Sequence, residues 1–227
     1  MIRRIILLPA AALVIWAQNG LDVTQRMAQI RESIAQNQAR LRQYSWVETT
    51  EMSLGGELKK RQQQDCWYAA DGTLQKKPVG APSEPKKPKG LKGKVAAKKA
   101  AELRDYLDRA SSLMSRYVPP DPAQIKAAMQ AGKAALDADN SGLASVVFSD
   151  FVKPNDRMTL VFDTSTKRLR SLQVASYLDN PGDAVSLTAS FARLDDGTSY
   201  LETSELDGKA KEVKIKKTNF GYRKAVQ

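Results

Sequence analysis

The sequence contains no histidine, and Cys66 is its only cysteine. The missing histidine removes the commonest general base and metal ligand, together with the Ser-His-Asp and Cys-His catalytic arrangements. A single cysteine excludes an internal disulfide, and we predict that Cys66 is a buried strand residue rather than an exposed thiol or a disulfide link to a second copy. A transition-metal site would need to be almost entirely carboxylate, so we predict no metal and no cofactor.

Three short motifs resemble functional signatures, but local structure explains each of them better. Residues 137–142 begin like a calcium loop, yet Phe148 occupies the twelfth position, where a bidentate Glu is needed. Residues 83–86 (SEPK) have the spacing of a Ser-Lys catalytic pair, but their proline prevents the helical turn that such a pair requires. Asp195 and Asp196 precede a glycine, which is typical of a turn. We therefore predict a protein that is not an enzyme, with a cryptic hydrolase as the least favoured alternative.

The positive charge is concentrated in one segment. The formal net charge is +11, and residues 76–99 contain nine Lys and a single acid, Glu84. Residues 82–99 have no Arg and no aromatic side chain for stacking on bases, which argues against nucleic acid as the partner. A solvated loop and a contact with anionic lipid headgroups remain open. The contact residues would be Lys86, Lys87, Lys89, Lys92, Lys94, Lys98 and Lys99.

The beginning of the chain has the pattern of a secretory signal peptide, residues 1–17. Arg3 and Arg4 precede the uncharged, apolar residues 5–16, and Ala17 supplies the small residue at the cleavage point. An apolar run of about a dozen residues is too short for a membrane span, which needs about twenty. We therefore predict cleavage near Gln18 and a periplasmic or secreted mature protein that forms one domain, residues 18–227. The sequence leaves its oligomeric state open.

Three segments have a helical period. The first spans residues 22–43, and its apolar residues recur at steps of three, four and seven. The second begins at about Val95 and carries a wide apolar stripe to residue 117. The third, residues 121–139, is predicted to be a shorter helix that begins at Pro122. Between the early strands and the second helix, residues 80–94 are rich in Pro, Gly and Lys, which predicts a flexible basic loop.

The remaining segments predict strands. Residues 44–54 and 57–70 are separated by Gly55-Gly56, and a short third strand follows Asp71-Gly72. After Gly142, strand-like segments alternate with turns that contain N-P-G, D-D-G and D-G. We predict an α+β fold in which a strongly curved antiparallel sheet of eight or so strands, a half-open barrel, is covered by the N-terminal helix and two inserted helices.

This order of elements resembles the periplasmic lipoprotein-carrier (LolA-like) superfamily. The stretches that carry the resemblance are LRQYSWVETTEMSLGGELKKRQQQDCWYAADGTLQK and FARLDDGTSYLETSELDGKAKEVKIKKTNFGYRK. The chain is also similar to a group of secreted bacterial proteins that share the Y-S-W and D-G-x-L-Q-K stretches. The basic Pro-Lys insertion is a departure from the carriers.

The resemblance implies a half-open barrel whose apolar concave face accepts acyl chains beneath a helical lid. In this chain the lining would be Trp46, Met52, Met114, Met129, Leu160, Phe162, Leu172, Val174, Leu187 and Phe191. The expected function is binding or transport of a lipid or an acylated protein in the cell envelope, with a possible anionic membrane surface as second partner. The alternative is a filled core in a scaffold or sensor domain that binds a protein partner and no small molecule.

Overall fold

The computed structural model describes residues 32, 35–80, 90–138, 142–166 and 168–224. The chain divides into two compact units, Met1–Gln38 and Ala39–Gln227. In the first unit, residue 32 and residues 35–38 are helical, and in the second unit residues 39–41 are helical. The predicted signal peptide, most of the first predicted helix and the lysines at positions 86, 87 and 89 lie outside the described residues.

The second unit contains a ten-stranded antiparallel sheet and two further helices. The strands are β1 (Tyr44–Leu54), β2 (Glu57–Tyr68), β3 (Leu74–Pro78), β4 (Ala134–Ala138), β5 (Leu143–Ser149), β6 (Arg157–Asp163), β7 (Arg168–Tyr177), β8 (Ala184–Arg193), β9 (Ser199–Gly208) and β10 (Val213–Lys224). The helices are α1 (Gly90–Met114) and α2 (Pro122–Gln130). The strand order is β3-β2-β1-β10-β9-β8-β7-β6-β5-β4, so the sheet is not closed. The predicted α+β class and antiparallel sheet are confirmed.

Two predicted boundaries differ from the structure. The third helix was predicted to extend to residue 139, but α2 ends at Gln130 and β4 pairs with β5. Gly132, with a φ of 69°, ends the helical segment, and strand pairing then overrides the helical preference of the alanines in β4. The long helix begins at Gly90 instead of about Val95, so the predicted loop is helical from Gly90 to Lys94. The predicted start was too late because glycine is a poor helix former and the segment contains Gly90 and Gly93.

Strand pairing assigns side chains to one or the other face of the sheet. A row of successive cross-strand partners runs through β1, β10, β9, β8, β7, β6 and β5, and cross-strand partners share a face. Its members are Met52, Ile215, Leu206, Leu187, Val174, Met158 and Phe148. The last three are buried in the hydrophobic core. We call the face that carries this row the inner face.

Helix α1 contributes its C-terminal half to the core. Its side chains Tyr106, Ala110, Leu113 and Met114 are buried in one cluster with inner-face residues of β5 to β8 and β10. Just beyond the helix, the buried Tyr117 hydroxyl donates a hydrogen bond to Asp156 at 2.5 Å and lies 2.9 Å from the Ser176 hydroxyl. Both partners lie at the strand ends, so this contact fixes the C-terminal end of α1 at one border of the sheet.

Two further contacts hold α1 at the same border, about two and three helical turns before Tyr117. The Tyr106 hydroxyl donates to Asp183 at 3.1 Å, and Arg109 donates to both carboxylate oxygens of Asp179 at 2.6 Å. The ring of Tyr106 lies directly on Gly208, where a Cβ atom would be 2.6 Å from the ring carbon Cε1. Gly208 has a φ of −115°, an extended conformation open to any residue. The backbone therefore does not require glycine here; glycine is required because a side chain would collide with Tyr106 of α1.

We expect Gly208→Ala to lower the free energy of unfolding by about 1–3 kcal/mol, because the added methyl group forces the Tyr106 ring away from the sheet. Urea denaturation measures this change. In a Tyr106→Leu background the same substitution should cost much less, since the ring that it meets is gone. An equal cost in both backgrounds would contradict the packing explanation.

Candidate functional site

Four of the ten residues predicted to line a cavity are in the buried core beneath α1. They are Met114, Leu160, Leu172 and Val174. Leu172 and Val174 retain only 1% and 2% of their accessible surface. At these four positions side chains of the protein itself fill the space, so a ligand would reach them only if α1 moved.

Four further predicted residues are partly buried and pack against the core: Met52, Phe162, Leu187 and Phe191. Two of them belong to a continuous apolar strip on the inner face, formed in β1, β10, β9 and β8 by Met52, Ile215, Leu206 and Leu187. All four side chains are partly exposed. We call this set the inner strip, and at the usual strand spacing it extends across about 14 Å.

The last two predicted residues are separated from this strip. Met129 is 53% exposed on α2, outside the core. Trp46 is buried in a group of aromatic side chains at the start of β1, which we call the aromatic cluster: Tyr44, Trp46, Tyr68, Tyr200 and Tyr222. The structure therefore does not bring all ten residues into one lining.

Trp46 occupies the centre of the aromatic cluster. Its ring stacks on Tyr222 with the centroids 5.4 Å apart and an interplanar angle of 11°. The indole N–H donates to the side-chain oxygen of Asn219 at 3.0 Å, which satisfies its hydrogen-bonding group within the buried site. Burial raises the pKa of the Tyr222 hydroxyl above its ordinary value. The cross-strand neighbour of Trp46 is Cys66, which is fully buried as predicted.

A bulge near the end of β10 creates this cluster. The register of β1 and β10 shifts between Ser45 and Val47, and Gly221 on the opposing strand has a φ of 65°. Phe220 pairs with Val47 and is 44% exposed, whereas Tyr222 beyond the shift meets Trp46. A bulge was predicted two to four residues earlier, at 217–219, and lies instead at the glycine, which adopts a positive φ without strain.

Polar side chains separate the inner strip from the aromatic cluster. Glu48 is 8% exposed on the inner face, and Lys76 binds its carboxylate at 2.7 Å. The neighbouring row, between Glu48 and the strip, consists of the cross-strand partners Thr50, Lys217 and Ser204. These polar rows were not singled out from the sequence, because their inward orientation follows from the register of β10 with β1 and β9.

One hydrogen bond ties the aromatic cluster to the β8–β9 turn. The Tyr44 hydroxyl donates to Asp196 at 2.7 Å, and Lys224 lies 3.8 Å from the same carboxylate. The hydrogen bond from Tyr44, followed by that from the backbone N–H of Thr198, holds the pKa of Asp196 well below its usual range. The same contact raises the pKa of Tyr44 to about 12. Asp196, considered above as a turn residue, thus also anchors the first residue of β1.

The basic segment is helical where the structure describes it. Lys94, Lys98 and Lys99 are exposed residues of α1, and Lys92 lies in the same helix. A shallow, open groove of about 430 Å³ is lined by Arg61, Gln63 and Val79. Its first two lining residues pair with Glu51 and Thr49, which places the groove on the face opposite to the inner strip. Its polar lining does not suit an acyl chain.

No protein-family model and no curated protein matches the chain. Among the described residues, no helix is long and apolar enough to cross a membrane. In the same part of the chain, no three Cys, Asp or Glu side chains are grouped so that they could hold a metal ion. The function must therefore be inferred from the chemistry of the inner face.

We expect the stability of the protein to fall below about pH 4, in part because protonation of Asp196 removes the charged acceptor of Tyr44. A carboxyl group with a lowered folded-state pKa stabilises the fold above its ordinary pKa, and this contribution is lost as the pH falls. The Tyr44→Phe variant should therefore lose less free energy of unfolding between about pH 6 and about pH 3 than the unmodified protein.

Tyr177→Phe is the matched control for this measurement, since the Tyr177 hydroxyl donates to the backbone carbonyl of Pro154, which does not titrate. It should leave the acid dependence unchanged. Chemical denaturation at each pH, followed by near-ultraviolet circular dichroism, gives both values. The same acid loss in Tyr44→Phe as in the unmodified protein would contradict the role of this hydrogen bond.

Proposed function

We propose that the protein is an exported, non-enzymatic binder or carrier of acyl chains in the cell envelope, built on the plan of the periplasmic lipoprotein-carrier (LolA-like) superfamily. The observation that carries the proposal is the inner strip, a row of apolar side chains that remain partly exposed on the same face as a closed core. Covering such surface is favourable by about 25 cal/mol for each Å² removed from water. An acyl chain laid across the strip gains this energy without displacing α1.

The position of α1 supports a role for this helix as a cover beside the ligand. Leu103 and Leu107 of α1 are partly buried and pack against the same core as Met52, Leu187 and Leu206 of the strip. Met114 lies within the core, and methionine adapts to changes in the shape of its surroundings. A longer or branched ligand could extend beneath α1 if the helix shifted away from the sheet.

One observation favours the alternative, a scaffold or sensor domain with a dry core. The side chains beneath α1 are closely packed, and Met158 retains no accessible surface. Such a core has no need of a ligand. The two functions differ in what they predict for the inner strip, which a lipid carrier uses and a dry scaffold does not.

Direct binding of a long-chain fatty acid tests the carrier proposal. We expect isothermal titration of the mature protein with oleate, below the concentration at which oleate aggregates, to show saturable binding. Leu187→Gln should weaken binding about tenfold, since it replaces part of the apolar strip by an amide that the acyl chain cannot hydrogen-bond.

Leu58→Gln is the control variant, because Leu58 is 56% exposed and pairs with Ser53 on the opposite face. It should bind oleate as the parent protein does. The absence of saturable binding to a folded parent protein, or equal weakening by both substitutions, would contradict binding at the inner strip and favour the scaffold.

The exposed lysines of α1 support contact with an anionic membrane as the place of loading or release. Each lysine near such a surface contributes about 1 kcal/mol. Replacing Lys94, Lys98 and Lys99 together by Gln should therefore weaken binding to vesicles that contain phosphatidylglycerol about a hundredfold. Vesicle sedimentation measures this change, and added salt should reduce the binding of the parent protein.

A charge-matched control separates this local contact from net charge. Lys126, Lys209 and Lys211 are exposed residues outside α1, and replacing them by Gln removes the same charge. If both triple variants lose vesicle binding equally, the α1 lysines have no special role. If neither loses binding, the membrane contact does not depend on charge.

A further inference from the structure

Lys217 is a cation on the inner face without an anionic partner. It lies on the same face of β10 as Val213 and Ile215, because the three residues are spaced by two. No register shift interrupts their pairing with β9. Its cross-strand neighbours are Thr50 in β1 and Ser204 in β9, and all three are partly buried. Its side chain forms no hydrogen bond or ion pair with any residue that the structure describes.

Another lysine of the inner face does have a carboxylate partner. Lys76 lies 2.7 Å from Glu48, the acid nearest to Lys217 in the strand register. Partly burying an ammonium group is unfavourable unless an anion or hydrogen-bond acceptor compensates for the lost water. Lys60, the cross-strand partner of Met52, also has no carboxylate partner among the described residues, but it is exposed, whereas Lys217 is partly buried. An anion supplied from outside would therefore compensate Lys217 in particular.

The position of this cation relates it to the inner strip. Ile215 precedes Lys217 by two residues, so their side chains lie about 7 Å apart along β10 on the same face. In β9, their cross-strand partners Leu206 and Ser204 are likewise two residues apart on this face. One row of the inner face is thus apolar, and the next row offers the ammonium group of Lys217 beside the hydroxyl of Ser204. The Thr50 hydroxyl on the other side of Lys217 donates to Glu48 at 3.4 Å. This is the arrangement that an amphiphile with a charged head requires.

We propose, on the basis of the acyl-chain binding proposed above, that the ligand is an amphiphile with one anionic head, a carboxylate or a phosphate. Its head is bound by the ammonium group of Lys217 and by the hydroxyl of Ser204, and its chain lies on the inner strip. Hydrogen bonds between a lysine and an anionic oxygen are shorter and about twice as strong as those between neutral groups. Lys217 therefore selects acidic lipids over neutral ones.

Three ligands with the same chain and different heads test this inference: dodecanoate, dodecyl phosphate and dodecanol. Isothermal titration of the mature protein, below the concentration at which each ligand aggregates, should show at least one anion binding about tenfold more tightly than the alcohol. Lys217→Gln should abolish this preference and leave the affinity for dodecanol unchanged. Lys217→Arg, which keeps the charge, should retain most of the preference.

Lys216→Gln is the matched control, because Lys216 is the adjacent residue of the same strand, is exposed, and points to the opposite face. It should not change the preference for the anions. The ratio of affinities for the carboxylate and the phosphate shows which of the two heads the site accepts.

The possible failures are distinguishable. If the anions and dodecanol bind equally well and Lys217→Gln changes none of the affinities, the inference about Lys217 is overturned while acyl-chain binding stands. If the folded protein binds none of the three ligands, the proposed function itself fails. A loss of anion preference in Lys216→Gln that equals the loss in Lys217→Gln would assign the effect to overall charge and overturn the site.

Discussion

The carboxylate of Asp156 is the contact on which the arrangement of the inner face depends. It is 2% exposed and accepts hydrogen bonds from the backbone N–H groups of Phe151, Val152 and Lys153, as well as from the Tyr117 hydroxyl. A buried carboxylate is tolerated only when such donors replace water. The same side chain accepts from both the β5–β6 connection and Tyr117, which follows α1. A shift of the helix along the sheet would therefore remove one of the donors to this buried carboxylate and leave the buried Tyr117 hydroxyl without it.

Fixing α1 at one border of the sheet divides the inner face into regions with different chemistry. Beneath the helix, side chains such as Leu172 are packed from both sides and lose nearly all contact with water. The inner strip packs against the margin of this core but stays partly exposed, and the aromatic cluster lies apart from it at the start of β1. The closed region stabilises the fold, and the open region is the part of this face that a ligand can reach. A carrier needs both, since a ligand site on a sheet without a core would have no rigid frame.

The alternation of apolar and polar residues predicted the sheet well where each side chain belonged plainly to one face. Residues 184–193 are the clearest case, and β8 occupies that segment. Prediction failed where local preference and tertiary pairing disagree, as in the alanine-rich β4, whose strand conformation depends on β5. The alternation also could not show that the predicted lining residues belong to separate clusters. Trp46 and Leu172 both alternate as inward-facing residues, but Leu172 lies in the core and Trp46 in the aromatic cluster. The orientation of Lys217 depends on the bulge at Gly221 lying beyond it, since a bulge at 217–219 would have disturbed its register.

The sequence of α1 explains why only its C-terminal half joins the core. Leu113, Tyr106 and Lys99 follow one another at seven-residue intervals and therefore lie along the same side of the helix. The first two are buried against the sheet, whereas Lys99 is exposed. Packing the helix further along the sheet would require this ammonium group to enter an apolar interface, which is unfavourable without an anion to receive it. The change from leucine and tyrosine to lysine thus limits how much of α1 the core can include.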